Sequence, residues 1–155
     1  MNAVGFFVLL QAAVVGADAQ PYTEAFKAAR ASDQPLVVLV GAEWCPGCVT
    51  MKQSVLPGMI RRGKLREVQF TIVDADDDPA LARKLMRGTS IPQLIVFSRS
   101  GEGWQREQLT GPKAEADVEA MIKRAVDQQA NARSEERRVG KECTSVCRSR
   151  WSPYH

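Results

Sequence analysis

The sequence predicts an α/β fold, a central mixed four-stranded sheet, mostly parallel, flanked by helices. Three observations predict it. Helical and extended patterns alternate along the chain, in the order helix, strand, helix, strand, helix, strand, strand, helix, which favours a parallel sheet with helices on both faces. Leu36-Val-Val-Leu-Val40 is a continuous apolar run of the kind found in a strand buried on both sides. The last two strands are separated only by Ser98-Arg-Ser-Gly101-Glu-Gly103, a turn that makes them a hairpin and adds an antiparallel edge.

Each element has a local warrant. Tyr22 to Ser32 spaces Tyr22, Phe26 and Ala29 for one helical face, and Asp33-Gln34-Pro35 breaks it. Leu36 to Val40 is the first strand. Pro46 to about Arg62 reads as a helix in which Pro57 predicts a kink. Val68 to Val73 is the second strand, with Val68, Phe70 and Ile72 alternating. Asp78-Pro79 looks like an N-cap followed by proline at the first helical position, opening a helix to about Met86. Gln93 to Phe97 and Trp104 to Leu109 are the third and fourth strands. Thr110-Gly111-Pro112 interrupts the chain before a final helix, Lys113 to Gln129, whose inner side carries Ala116, Val118, Met121, Ile122 and Val126.

The two ends read differently from this domain. Val4 to Val15 is an apolar stretch followed by Ala17-Asp18-Ala19, a small-x-small cleavage pattern, so residues 1–19 are expected to be an export signal and the mature protein to be periplasmic or secreted. The apolar run falls short of the ~20 residues that span a bilayer, and no stable membrane span is expected. From Arg133 onward no apolar period of either kind remains. Residues 133–155 resemble the conceptual translation of a sequencing-library adapter, since Arg133-Ser-Glu-Glu-Arg137 back-translates to AGATCGGAAGAGCG. The tail is therefore expected to be unstructured and artefactual, and residues 20–132 to form the domain.

Composition narrows the function. Hydrophobic residues are 45% and charged residues 25%, which excludes wholesale disorder and a multi-span membrane protein. The net charge of +3 resides in the tail, where six basic residues face three acidic ones, so it is no argument for nucleic-acid binding by the domain. The single histidine, His155, lies in that tail. Four cysteines are too few for a disulfide-stapled scaffold.

The chemistry concentrates in Trp44-Cys45-Pro46-Gly47-Cys48, at a strand-to-helix junction. Unpaired N–H groups at a helix start favour a thiolate there, and the thiolate is the nucleophile of disulfide exchange. Cys45, at the exposed start, takes the attacking role. Cys48, three residues on and deeper, resolves the mixed disulfide. Pro46 fits the first helical position and Gly47 permits close backbone approach. The competing reading, half of a zinc site, lacks ligands outside the tail, where Cys143, Cys147 and His155 are the only other candidates. No metal and no cofactor beyond a redox-active disulfide is expected. The acidic run Asp74 to Asp78 lacks the glycine and distal glutamate of a calcium loop and reads as a helix cap with a solvated loop. Thr89-Ser90-Ile91-Pro92 precedes the third strand, where a proline can be cis.

Over residues 22–130, these motifs resemble thioredoxin. The resemblance implies a cis Ile91–Pro92 loop facing the C-x-x-C, with Ile91 and Pro92 offering backbone to an extended substrate. It implies that Trp44 flanks the sulfur and shapes the docking surface; packing on the sheet edge is the plainer role for this side chain. It also exposes departures. The dipeptide is Pro46-Gly47 instead of Gly-Pro. Leu39 stands where that family carries a buried acid, and Phe70 where the acid's lysine partner would be. Glu43, the nearest carboxylate, or water would then serve Cys48; otherwise Glu43 is a solvated loop charge.

The sequence thus reads as a thiol–disulfide oxidoreductase that exchanges the Cys45–Cys48 pair with protein thiols and disulfides and is recycled by a redox partner; the resemblance implies a monomer. In related families a histidine in the dipeptide accompanies strongly oxidising members, so its absence here implies a reductant or mild exchanger. The alternatives are a copper-handling module on the same fold, with Met51 as the nearby extra sulfur, and a non-catalytic interaction scaffold.

Overall fold

The computed structural model describes residues 20–101 and 103–149. The export signal expected at 1–19 and His155 lie outside them. The elements are α1 (Tyr22–Ser32), β1 (Leu36–Gly41), α2 (Pro46–Thr50), a π-helical turn (Met51–Val55), α3 (Leu56–Arg61), β2 (Gln69–Asp74), α4 (Pro79–Leu85), β3 (Gln93–Ser100), β4 (Gly103–Thr110) and α5 (Glu115–Ser149). Among these described helices, none is long and apolar enough to cross a membrane.

The four strands lie in the order β2-β1-β3-β4. β1 pairs with β2 in parallel, but β3 runs antiparallel to both β1 and β4. The sheet is mixed, as expected, yet it is not mostly parallel. The chain leaving β2 at Asp74 re-enters the sheet at the same end, with Gln93 opposite Val40, so β3 runs against β1. Alternation of helices and strands alone does not distinguish this return from a full crossover.

Every residue of β1 is buried, and its side chains alternate between two apolar layers. Val37 and Leu39 join Met51, Leu56, Met59, Leu94, Val96, Val118, Met121 and Ile122 on one face. Leu36, Val38 and Val40 join Ala25, Ala29, Val73, Ala82, Leu85 and Ile95 on the other. In α1 the core-facing residues are Ala25 and Ala29, while Phe26 is exposed and stacks on Tyr22. In α5 Ala125 is buried where Ala116 is exposed.

Pro57 acts earlier than its own position. Its ring and missing N–H are incompatible with a regular bond to the preceding turn. The helix widens before it, with the Leu56 N–H bonding the Met51 carbonyl. At the other end of the chain, α5 continues through residues 133–149, which corrects the expectation of an unstructured tail. No proline and no glycine interrupts the run from Ala114 to Val139, and Arg, Glu and Ala are good helix formers. Two residues of this extension also reach the domain: Arg133 pairs with Asp33, and Glu136 with Arg99.

Candidate active site

The short return through α4 gathers four chain segments at one end of the sheet. β1 ends there at Gly41, β2 at Asp74 and β4 at Thr110, and β3 begins there at Gln93. Two motifs, Cys45–Cys48 and Ile91–Pro92, are thereby brought into contact, although Cys45 and Ile91 are 46 residues apart in the chain.

Cys45 is the N-cap of α2. Its sulfur accepts the Cys48 N–H at 3.4 Å, so one of the unpaired donors of the helix start is aimed at the first sulfur. Its thiol in turn faces the Ile91 carbonyl at 3.9 Å. The Ile91–Pro92 peptide is cis. The Pro92 carbonyl is engaged by the Gly111 N–H at 2.8 Å, and Gly111 has φ +82°, a conformation natural only to glycine. The cis-proline loop is thus tied to the end of β4. Both cysteines are free thiols. Cys45 is 7% exposed and Cys48 is fully buried.

Burial and a hydrogen bond with Cys45 push the Cys48 thiol up to about 11, from an ordinary value of 9.0. The Ala42 backbone and the Lys52 ammonium pull in the opposite direction. Leu39 lies in the apolar layer with Met51, so no acid stands where the resemblance would put one. Glu43 is exposed.

The residues between the cysteines divide. Pro46 is exposed at the first helical position. Gly47 is wedged: a Cβ there would lie 3.3 Å from the rings of both Pro92 and Pro112. Trp44 is 71% exposed, so it does not pack on the sheet edge. Its indole N–H donates to Asp76 at 2.8 Å, which holds an open aromatic face beside Cys45. The acidic run is otherwise engaged by the protein itself. Asp78 caps α4 through the Leu81 N–H, and Asp74 accepts from Lys52 and from the Asp76 N–H.

Two further residues belong to the site. A Cβ on Gly41 would lie 2.9 Å from the Cys48 sulfur, so only glycine lets the helix start sit this close to the strand end. Gln93, fully buried, accepts the Arg87 N–H and donates to the Arg87 and Ser90 carbonyls, while Gln108 donates to it from β4. Its amide holds the loop that ends in Ile91. The sequence offered a signal for Gln93, a polar residue opening an apolar strand, but none for Gly41 beyond its place at the end of a buried run.

A family model described as thioredoxin-like matches residues 17–98. The chain belongs to the thioredoxin-like family. Among solved structures, a thioredoxin from Thermus thermophilus is similar at 27% identity and a TM-score of 0.55, covering 67% of this chain and 82% of that one. Mitochondrial thioredoxin 3 from Saccharomyces cerevisiae is similar at 24% identity and a TM-score of 0.51, covering 65% and 88%. A thioredoxin from Trichomonas vaginalis is similar at 22% identity and a TM-score of 0.51, covering 68% and 92%. The last two support the fold alone. No protein with a curated description matches. Family and fold support thiol–disulfide oxidoreductase chemistry in general, with protein substrates, for this thioredoxin-like chain.

Proposed function

We propose that this thioredoxin-like protein exchanges a Cys45–Cys48 dithiol for disulfides in protein substrates, as an exported monomer acting as a reductant or mild exchanger. The observation that carries this reading is the Cys45 sulfur placed between the Cys48 N–H and the Ile91 carbonyl. In the reducing direction an extended substrate segment lies along Ile91 and Pro92, with Trp44 flanking it. The Cys45 thiolate attacks one substrate sulfur, a mixed disulfide forms, and the other substrate sulfur leaves as a thiolate. Cys48 then attacks Cys45, closing the intramolecular disulfide and releasing the second substrate sulfur. Two electrons pass from the pair to the substrate, and a redox partner restores the dithiol. No resident cofactor takes part.

The high value of the Cys48 thiol fits this order of events. At neutral pH it stays protonated until the mixed disulfide is made, so Cys45 attacks first. The copper-handling alternative draws no support from Met51, whose side chain is buried in the core.

The test is the reduction potential of the Cys45–Cys48 pair. A value near about −270 mV marks a reductant, whereas one near about −120 mV marks an oxidant and reverses the direction of electron flow. Failure of the reduced protein to cleave any protein disulfide, such as that of insulin, overturns the reading as a whole.

A further inference from the structure

We propose that the Lys52–Asp74 ion pair is a positioning pair that eases formation of the Cys48 thiolate in the resolving step. The inference rests on the exchange reading above and extends it to proton handling, for which no buried acid is present at position 39.

The placement begins with the helix. Lys52 is four residues after Cys48, one turn on along the same face, and lies in the widened π-helical turn. A lysine side chain is normally exposed. This one is only 20% exposed, and its ammonium meets the Asp74 carboxylate at 3.1 Å, itself 14% exposed. Asp74 is the last residue of β2 and pairs with Gly41, the residue whose missing side chain makes room for the Cys48 sulfur. The pair therefore stands at the strand ends against which Cys48 packs. Burial works against ionisation of Asp74. The Asp76 N–H and the Lys52 ammonium outweigh it and hold the carboxyl below its ordinary range, so Asp74 is a carboxylate at neutral pH.

The ionisable surroundings of Cys48 are few. β1 and the 89–92 loop contribute no titratable side chain. Cys45 sits across the turn, Glu43 is exposed, Asp76 is occupied by Trp44 and Asp78 by the α4 cap. Lys52 is the cation whose field acts on the Cys48 sulfur, and Asp74 anchors and partly neutralises it. In the resolving step Cys48 loses its proton to solvent and its sulfur attacks the Cys45 sulfur. The Cys45–Cys48 bond forms, the bond to the substrate sulfur breaks, and the substrate leaves as a thiolate that takes up a proton. The ammonium favours the negative sulfur that must form first.

Removing either member then has effects of opposite sign. The probe is a nitrobenzoate aromatic disulfide whose thiolate product absorbs visible light. Reaction with the reduced, full chain releases one thiolate by Cys45 attack and a second by Cys48 resolution, read as two phases across a pH series. Lys52→Met is expected to slow the second phase about tenfold at neutral pH and to move its midpoint up by about one pH unit. Lys52→Arg, which keeps the charge, restores most of the rate. Asp74→Asn keeps the acceptor for the Asp76 N–H but frees the ammonium from its counter-charge, and it moves the midpoint down. Second-phase profiles that coincide with wild type, or that shift in the same direction in Lys52→Met and Asp74→Asn, overturn the proposal and leave the pair a packing device. If Asp74→Asn does not fold, the contrast between Lys52→Met and Lys52→Arg decides. An unsubstituted chain lacking either phase refutes instead the exchange reading beneath it.

Discussion

The two ends of the sheet are held by different means. At the end where β1 gives way to α2, the contacts are short, buried and made by backbone or small residues: Gly41 against Cys48, Gly47 between two prolines, and the Gln93 amide inside the 87–90 loop. At the opposite end, the start of α5's extension meets the β3–β4 hairpin through charge. Arg99 pairs with Asp33 and Glu136, and Arg133 also reaches Asp33, all with side chains about a third or more exposed. Exposed pairs of that kind contribute about 0–1 kcal/mol each. At Gly41 and Gly47 the redox end is closely packed, while the far end is closed by groups that water can replace. Precision in this molecule is concentrated where sulfur must meet sulfur.

That contrast can be broken first at the cysteines. Cys45→Ser is expected to abolish disulfide exchange, and Cys48→Ser to accumulate a mixed disulfide detectable by mass spectrometry. Persistent exchange by Cys45→Ser would remove the chemistry from this end. Gly41→Val should destabilise the reduced protein by about 3 kcal/mol in denaturant melts, because the new side chain overlaps the Cys48 sulfur. An unchanged melt would show that the close approach is not needed.

The next prediction concerns pH. Cys48 has a folded-state value raised from 9.0 to about 11, so the folded dithiol holds its proton more tightly than the unfolded chain. The associated stability, on the order of 2 kcal/mol, is fully present below pH 9 and is lost as pH rises through about 11. The disulfide form lacks this dependence. Parallel melts of both forms between neutral and alkaline pH check it, and identical slopes would refute it.

Gln93→Leu should cost about 2 kcal/mol, since it leaves the Arg87 N–H and two loop carbonyls without their buried partner. It should also lower exchange, through the displaced Ile91, more than that stability loss explains. The smallest effect belongs to the far end. Arg99→Ala is expected to shift stability by no more than about 0.5 kcal/mol and to leave exchange rates within experimental scatter. A loss comparable to that of Gln93→Leu would erase the distinction between the two ends.

The elements legible in the sequence are those governed by local chemistry. α1 begins and ends where its pattern says, Asp78 caps α4, and the cysteines open a helix after a buried strand. What sequence could not show depends on partners far along the chain. The reversal of β3 is visible only in its pairing, which sets Gln93 opposite Val40 at the end where β1 and β2 finish. Gly41 and Gln93 acquire their roles only when the chain folds back on Cys48 and on Arg87, Ser90 and Gln108, and the Lys52–Asp74 pair only when segments 22 residues apart meet. Resemblance supplied the Ile91–Pro92 contact, whereas for proton handling nearness in sequence offered Glu43 or water, and Glu43 is exposed, as a solvated loop charge would be. The helical extension beyond Ala132 has no apolar period to announce it, because packing does not form it. Intrinsic propensity and a few exposed pairs suffice to continue a helix already begun.

The wedging of Gly47 has a consequence for how this site can vary. Its two dipeptide positions are not equivalent sources of novelty. Position 46 opens to solvent and can explore most of the chemical alphabet, and with it the electrostatics next to Cys45. Position 47 faces two rings from separate loops, Pro92 and Pro112, each 3.3 Å from where a Cβ would stand, so a larger residue there requires those rings to give by a few tenths of an ångström. A randomised library of this dipeptide would return a wider range in its first letter than in its second.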